Sequence, residues 1–351
     1  MRQLSKAFLA ASLFSGVFLI GQSSDIQFHS DPAPLKFPAN IALGEAAGVA
    51  TDSHGNVFVY TRTGHPTITI GTARPFAHGG SRLVEFDKLG NYVREIGKDS
   101  YAFLVAQQVR IDPQDNIWTV DQMSNSIIKF DPAGRMQMIL GRKAEAETVP
   151  APSLGPARGG RGGGLPGAGA QSDLFNRPTD IAWDAAGNIY IADGIGNARV
   201  AKFDKNGKFI RSWGSRGAVN GQFDTARGIA IDAKGLVYVA DPGNKRIQVF
   251  DGDGNYKTQI ANIGAPAAVC ISPGSHQYLY SSNSNPVNDI DSGGEIYRLE
   301  LDGTVLGKFG KAGKLPSEFG TVNAIDCRGN SELYVGELGN WRVQKLSLSV
   351  K

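Results

Sequence analysis

Histidine and cysteine are scarce in this chain. Its 351 residues include five histidines and two cysteines. The histidines (His29, His54, His65, His78 and His276) show no spacing that would bring three imidazoles to one ion. Charge of one sign is also lacking: 36 Lys and Arg stand against 33 Asp and Glu, a net +3. Two of those cations, Arg2 and Lys6, sit in an acid-free start, so the rest is close to neutral. That balance gives no electrostatic footprint for a nucleic-acid partner or an anionic membrane. No Ser–His–Asp order can be placed. The glycine run Gly159–Gly164 does not join a strand to a helix, which excludes a phosphate loop.

The start of the chain reads as a leader. Arg2 and Lys6 precede the apolar stretch Ala7–Gly21, which is short for a membrane span, and Gly21 and Ser23 offer small residues for cleavage. Residues 1–23 are therefore expected to be a signal peptide, and the mature protein to be periplasmic or secreted with no membrane span after processing. An uncleaved leader would anchor it in the membrane instead. No Cys follows the apolar stretch, which argues against a lipoprotein. Cys270 and Cys327 fall three and four residues into their repeat units. Because side chains alternate along a strand, they are expected to point to opposite faces and to stay reduced and buried.

What the chain does have is a repeat. An apolar stretch, a Gly- or Asn-containing turn, a second apolar stretch and then, in most units, an acid recur six times. The units are Ala47–Arg62, Gln107–Asp121, Thr179–Asp193, Arg227–Asp241, Ala267–Ser281 and Asn323–Glu337. A third apolar segment follows each, as in Ala198–Phe203 or Lys245–Phe250, and in five of the six a fourth, as in Lys208–Trp213. Four short strands per unit, at a period of about 40 residues or more, predict an all-β, six-bladed β-propeller. One unit cannot bury both its faces, so the blades must stack around an axis and residues 24–351 form one domain. The 45 glycines suit its many tight turns. The last unit stops after Trp341–Leu346, so an N-terminal strand should close the ring, either Ile26–His29 or Leu35–Ala42. Residues 143–173, rich in Gly and Pro, read as a flexible linker between blades two and three.

In an antiparallel blade, the loop from strand two to strand three and the link to the next blade open on one face. The long insertions Thr63–Gly80, Asn283–Gly294 and the linker all lie there, and function is expected on that face. With a constant hairpin length, the first-strand residues nearest it are Ala47, Gln107, Thr179, Arg227, Ala267 and Asn323. These should ring the channel mouth, with Arg227 pointing into solvent. Fourteen residues on come Thr61, Asp121, Asp193, Asp241, Ser281 and Glu337. Three of the four acids are followed by Asn and Arg, which predicts intrablade scaffold pairs rather than a metal site.

Phrases such as Asn188–Asp193 (NIYIAD) and Asn244–Phe250 (NKRIQVF) resemble NHL repeats. The whole mature chain resembles the six-bladed propellers related to peptidyl-α-hydroxyglycine α-amidating lyase (peptidylamidoglycolate lyase). That resemblance implies a zinc ion on three inner-strand histidines and a structural calcium held partly by backbone carbonyls. It also implies an active-site Arg in blade one and a later Tyr and Arg. The first Arg is matched by Arg62, and the calcium carbonyls by Val49 and Val109. The histidine positions hold Gln107, Arg227 and Asn323, the following acid is Ala324, and the Tyr and Arg positions hold Ile195 and Pro242. Zinc is therefore not expected, and a structural calcium on those carbonyls is left open. No catalytic cofactor is expected either.

These residues lead to a binding propeller that takes a small anionic ligand or a peptide on Arg62, Gln107, Arg227 and Asn323. His65, near Arg62, is a further candidate as a base or donor. The alternatives are a module for envelope protein partners, a divergent carbon–nitrogen lyase, or a metal-free hydrolase.

Overall fold

A computed structural model describes residues 24–63, 67–70, 74–77, 80–141, 174–285, 289, 291–329 and 331–349. The expected leader (1–23) and linker (143–173) lie outside these residues, as do His65 and His78.

The N-terminal segment gives β1 (Ser24–Asp25) and β2 (Phe28–Asp31). Blade one is β3 (Glu45–Thr51), β4 (Val57–Arg62), β7 (Ser81–Phe86) and β8 (Tyr92–Ile96). Its long loop carries a separate hairpin, β5 (Thr67–Ile70) with β6 (Arg74–Ala77). Blade two is β9 (Ala106–Ile111), β10 (Ile117–Asp121), β11 (Ser126–Phe130) and β12 (Met136–Gly141). Blade three is β13 (Asp180–Trp183), β14 (Ile189–Asp193), β15 (Arg199–Phe203) and β16 (Phe209–Trp213). Blade four is β17 (Ile229–Ile231), β18 (Val237–Asp241), β19 (Arg246–Phe250) and β20 (Tyr256–Ile260). Blade five is β21 (Val269–Ile271), β22 (Leu279–Ser282), β23 (Ile296–Leu299) and β24 (Val305–Phe309). Blade six is β25 (Val322–Asp326), β26 (Glu332–Glu337) and β27 (Arg342–Leu348).

Closure uses the first of the two expected stretches. β2 pairs antiparallel with β27, Phe28 opposite Leu348 and Ser30 opposite Leu346, and supplies blade six with its fourth strand. His29 thus belongs to the ring rather than preceding it. β1 runs parallel to β24 as a fifth strand on blade five, so one short segment covers the outer edges of two blades. Phe28 packs on Phe309 and Phe319, with ring centroids 5.2 and 6.4 Å away.

The core lies between blades and follows from strand alternation. In β14, Ile189 and Ile191 pack with Trp118 and Val120 of blade two, whereas Tyr190 and Ala192 pack with Ile229, Val237 and Val239 of blade four. Each side chain therefore stabilises one of two interfaces, at about 25 cal/mol for each Å² of apolar surface removed from water. Near the axis the blades converge until a side chain no longer fits. A Cβ on Gly48 of blade one would lie 2.3 Å from the backbone nitrogen of Val109 in blade two.

The same alternation corrects the reading of the cysteines. Cys270 and Cys327 form a disulfide, with their Cα atoms 6.0 Å apart. They do point to opposite faces of their own sheets. Blades stack face to back, however, so opposite faces of neighbouring blades are the ones that meet. Val269 packs toward blade four and Cys270 toward blade six, while Cys327 and Ile325 pack toward blade five. Opposite parity is what brings the two sulfurs together.

Blade five also departs from constant hairpin length. Its first hairpin closes at Ile271 opposite Leu279, around Ser272–Tyr278, whereas blade four closes at Ile231 opposite Val237. The residue equivalent to the repeat acids is therefore Asn283, not Ser281. Asn283 Oδ1 accepts the Ala265 N–H at 2.9 Å, as Asp241 Oδ1 accepts the Asp224 N–H at 2.9 Å in blade four.

Candidate functional site

Three inner strands carry an extra residue at the mouth of the channel. Pairing shifts register around Ala47 in β3, around Gln107 in β9 and around Asn323 in β25. A bulge leaves one residue out of the ladder and re-aims its side chain. Asn323, buried, donates through Nδ2 to the backbone oxygens of Ala47 at 2.6 Å and Gln107 at 2.9 Å. One amide thus ties the three bulges of blades six, one and two into a rigid floor.

Two arginines converge on that floor. Arg227, from blade four across the ring, donates through Nη2 to Asn323 Oδ1 at 2.7 Å. Gln107 Nε2 reaches the same oxygen at 3.4 Å. Arg62 donates through Nη2 to Gln107 Oε1 at 2.9 Å and through Nε to the Ala106 carbonyl at 2.6 Å. Its Nη1 pairs with Glu45 Oε2 at 3.0 Å. The structure therefore joins Arg62, Gln107, Asn323 and Arg227 in one chain of hydrogen bonds. The other ring positions contribute little: Ala47 and Ala267 are small, and Thr179 turns its hydroxyl onto the carbonyls of Ala192 and Ala226.

The expectation that Arg227 projects into solvent is corrected. It leans across the channel and is partly buried, with its Nε buried and lacking a hydrogen-bond partner. Burial, reinforced by Arg62 and Arg177, pushes its guanidinium down to about 10. Among the described residues no carboxylate pairs with Arg227. Asp241, at the other end of the same repeat unit, is taken by Arg246 Nε at 3.2 Å and Asn244 at 2.8 Å.

Arg177 is a member of this group that sequence reasoning missed. It is exposed overall, yet partial burial lowers the pKa of its guanidinium. Its backbone, at φ 61°, is held by a hydrogen bond from its N–H to Asn125 Oδ1 at 2.8 Å. The available signal was its place two residues before the ring residue Thr179. Glu45 was missed for the same reason, lying just before the first unit.

The repeat acids do scaffold work. Asp193 accepts from Asn197 at 2.7 Å and Arg199 at 2.9 Å, and Glu337 accepts from Asn340 at 2.8 Å and Arg342 at 2.7 Å. Asp121, with no repeat Arg, accepts instead from the Tyr60 hydroxyl and from the N–H groups of Leu104 and Val105. Burial raises the carboxyls of Asp121, Asp193 and Asp241.

The ring residues do not fit the zinc that the lyase resemblance implies. Zinc takes thiolate, imidazole or carboxylate ligands, and two amides and a guanidinium are none of these. Nor does any group of three or more His, Cys, Asp or Glu stand together among the described residues. Among these residues, no helix is long and apolar enough to cross a membrane.

Comparison with known proteins agrees with the repeat. Residues 223–250, in blade four, match the NHL repeat family. The chain is 27% identical over 332 residues to peptidyl-glycine alpha-amidating monooxygenase A of Xenopus laevis, covering 88% of this chain and 32% of that protein. It is 27% identical over 341 residues to peptidyl-alpha-hydroxyglycine alpha-amidating lyase 1 of Drosophila melanogaster, covering 88% and 58%. The chain thus spans 32% and 58% of the length of these two relatives. A solved structure of a protein of unknown function from Bacteroides thetaiotaomicron superposes with a TM-score of 0.61, 11% identity and coverage of 93% of this chain and 77% of that one. That likeness is one of fold alone. Repeat, closure and similarity together make this chain a six-bladed NHL-repeat β-propeller that resembles the peptidyl-α-hydroxyglycine α-amidating lyases.

Proposed function

We propose that the channel mouth binds a small anionic ligand or the free carboxylate of a peptide. The observation that carries this reading is Arg227. Its guanidinium is partly buried and feels the charges of Arg62 and Arg177, its Nε hydrogen is unused, and no carboxylate pairs with it among the described residues. A carboxylate seated between Arg227 and Arg177 would relieve that repulsion and accept charge-assisted hydrogen bonds. Gln107 and Asn323 hold the arginines in place rather than competing as acids.

Export from the cytosol belongs to the same reading. The Cys270–Cys327 disulfide supports an oxidising compartment, periplasmic or extracellular. There the binding partner would be a peptide or an envelope protein presenting a free carboxylate.

Calorimetry with a C-terminally free tetrapeptide, its amidated counterpart and inorganic phosphate tests the reading. The free peptide or phosphate should bind, and Arg227→His should weaken binding by roughly 1.5–3 kcal/mol, about ten- to a hundredfold. No binding by the unmodified protein, or equal affinity in the variant, would sink the idea.

The similarity along 88% of the chain, which includes Arg62, favours a second reading as a divergent lyase. Turnover of a peptidyl-α-hydroxyglycine by the purified protein would replace binding with catalysis. The protein should also carry no stoichiometric zinc, measured by elemental analysis, because the ring offers no zinc ligand.

A further inference from the structure

Below the mouth the axis is filled by a second arginine. Arg110, on β9, donates through Nε and Nη2 to the two oxygens of Asp180 in blade three, at 2.9 and 2.8 Å. Its Nη1 reaches the backbone oxygen of Ile325 in blade six at 3.0 Å, and Nη2 that of Val269 in blade five at 3.2 Å. Asp180 in turn accepts the N–H of Ile229 in blade four at 3.1 Å. The two side chains are 13% and 2% exposed. One ion pair on the axis therefore touches five of the six blades.

The carbonyls it uses are informative. Val269 and Ile325 stand two residues into their units, the position that Val49 and Val109 hold in blades one and two. This is the level at which the resemblance implies a structural calcium. Calcium needs six to eight oxygens at 2.3–2.6 Å. Here two of the carbonyls and the carboxylate already receive the donors of a guanidinium, whose charge would repel a dication. The residues do not fit the ion.

We infer that the Arg110 guanidinium is this propeller's own axial cation, and that the oxygens around it form a divalent-cation site only when that guanidinium is removed. Arginine suits the place because its planar fork serves a carboxylate and two carbonyls from fixed directions at once. The charge is covalently attached, so the ring is independent of any metal supply.

Melting temperatures of the complete protein, with calcium and with chelator, test this. The unmodified protein should melt at the same temperature in both, and equilibrium dialysis should find no bound calcium. Arg110→Ala should melt several degrees lower, because Asp180 is left buried without its partner, and calcium should then raise its melting temperature. Adding Asp180→Ala should abolish that response, and Arg110→Lys, which keeps a cation on the axis, should show none. If Arg110→Ala folds only with calcium in the refolding buffer, the inference stands. Stoichiometric calcium in the unmodified protein would overturn it. So would an Arg110→Ala variant that melts normally, fails to respond to calcium, or cannot be refolded with it.

Discussion

Arg199 and Arg227 are both drawn into the propeller, yet they meet opposite kinds of partner. Arg199 is fully buried and pairs with Asp193 at 2.9 Å, with both side chains at 0% exposure. Arg227 meets an amide oxygen instead, and feels the like charges of Arg62 and Arg177. Burial alone does not make a site. The partner decides: a carboxylate within the blade neutralises the cation and fixes the strand pair, whereas a neutral amide holds the side chain and leaves its charge uncompensated. The axial Arg110 belongs with Arg199 in this respect.

The largest expected effect falls on the paired arginine. Asp193→Ala strands the Arg199 charge in the core and should cost roughly 3–5 kcal/mol, read as a lower midpoint in denaturant. A change below about 1 kcal/mol would mean that Arg199 relies on its other partners, and the contrast with Arg227 would weaken.

A smaller effect is expected from giving the mouth arginine a partner. Asn323→Asp would place a carboxylate against Arg227 and should lower anion affinity about tenfold, near 1.4 kcal/mol, by calorimetry. Unchanged affinity would place the ligand elsewhere. Replacing Arg227 by Met should alter stability little, within about 1 kcal/mol, since no carboxylate among the described residues is left unpaired.

The smallest effect is in the pH profile. The folded arginine's pKa, about 10, lies well below the ordinary arginine value. The fold therefore bears the cost of that charge at neutral pH, and the cost relaxes as pH rises through about 10 toward the unfolded value. A bound anion stabilises the charged form. Affinity should accordingly stay level from pH 7 to roughly 9 and fall above 10. Affinity that rises across that window would contradict the role given to Arg227.

Much of the fold was legible in the chain because propeller strands pair with their sequence neighbours. Six units, their strand order and the face that carries the loops all follow from alternation and turn chemistry. The site was legible in part. Aligned repeats brought forward Gln107, Arg227 and Asn323, and the structure places all three on one hydrogen-bonded floor. They could not reveal the bulges that aim Gln107 and Asn323, since each extra residue comes one residue into its strand, where too little precedes it for a change in alternation to show. Arg177 and Glu45 were hidden because they lie in links outside the repeat. The longer hairpin of blade five, Ser272–Tyr278, misplaced one position of the ring by its own extra length.

By itself, then, the sequence determined the blade count, the course of each sheet and the scaffold pairs Asp193–Arg199, Asp241–Arg246 and Glu337–Arg342. Their members are close along the chain and share a hairpin. Tertiary structure decided that β2 rather than the later stretch closes the ring, that Cys270 bonds to Cys327, that Arg227 crosses to Asn323, and that Arg110 fills the axis. The first joins the two ends of the chain within blade six, and the other three join residues of different blades. Their distances are set only when closure fixes how face meets back and where six inner strands converge, and a pattern of nearest neighbours carries no information about that geometry.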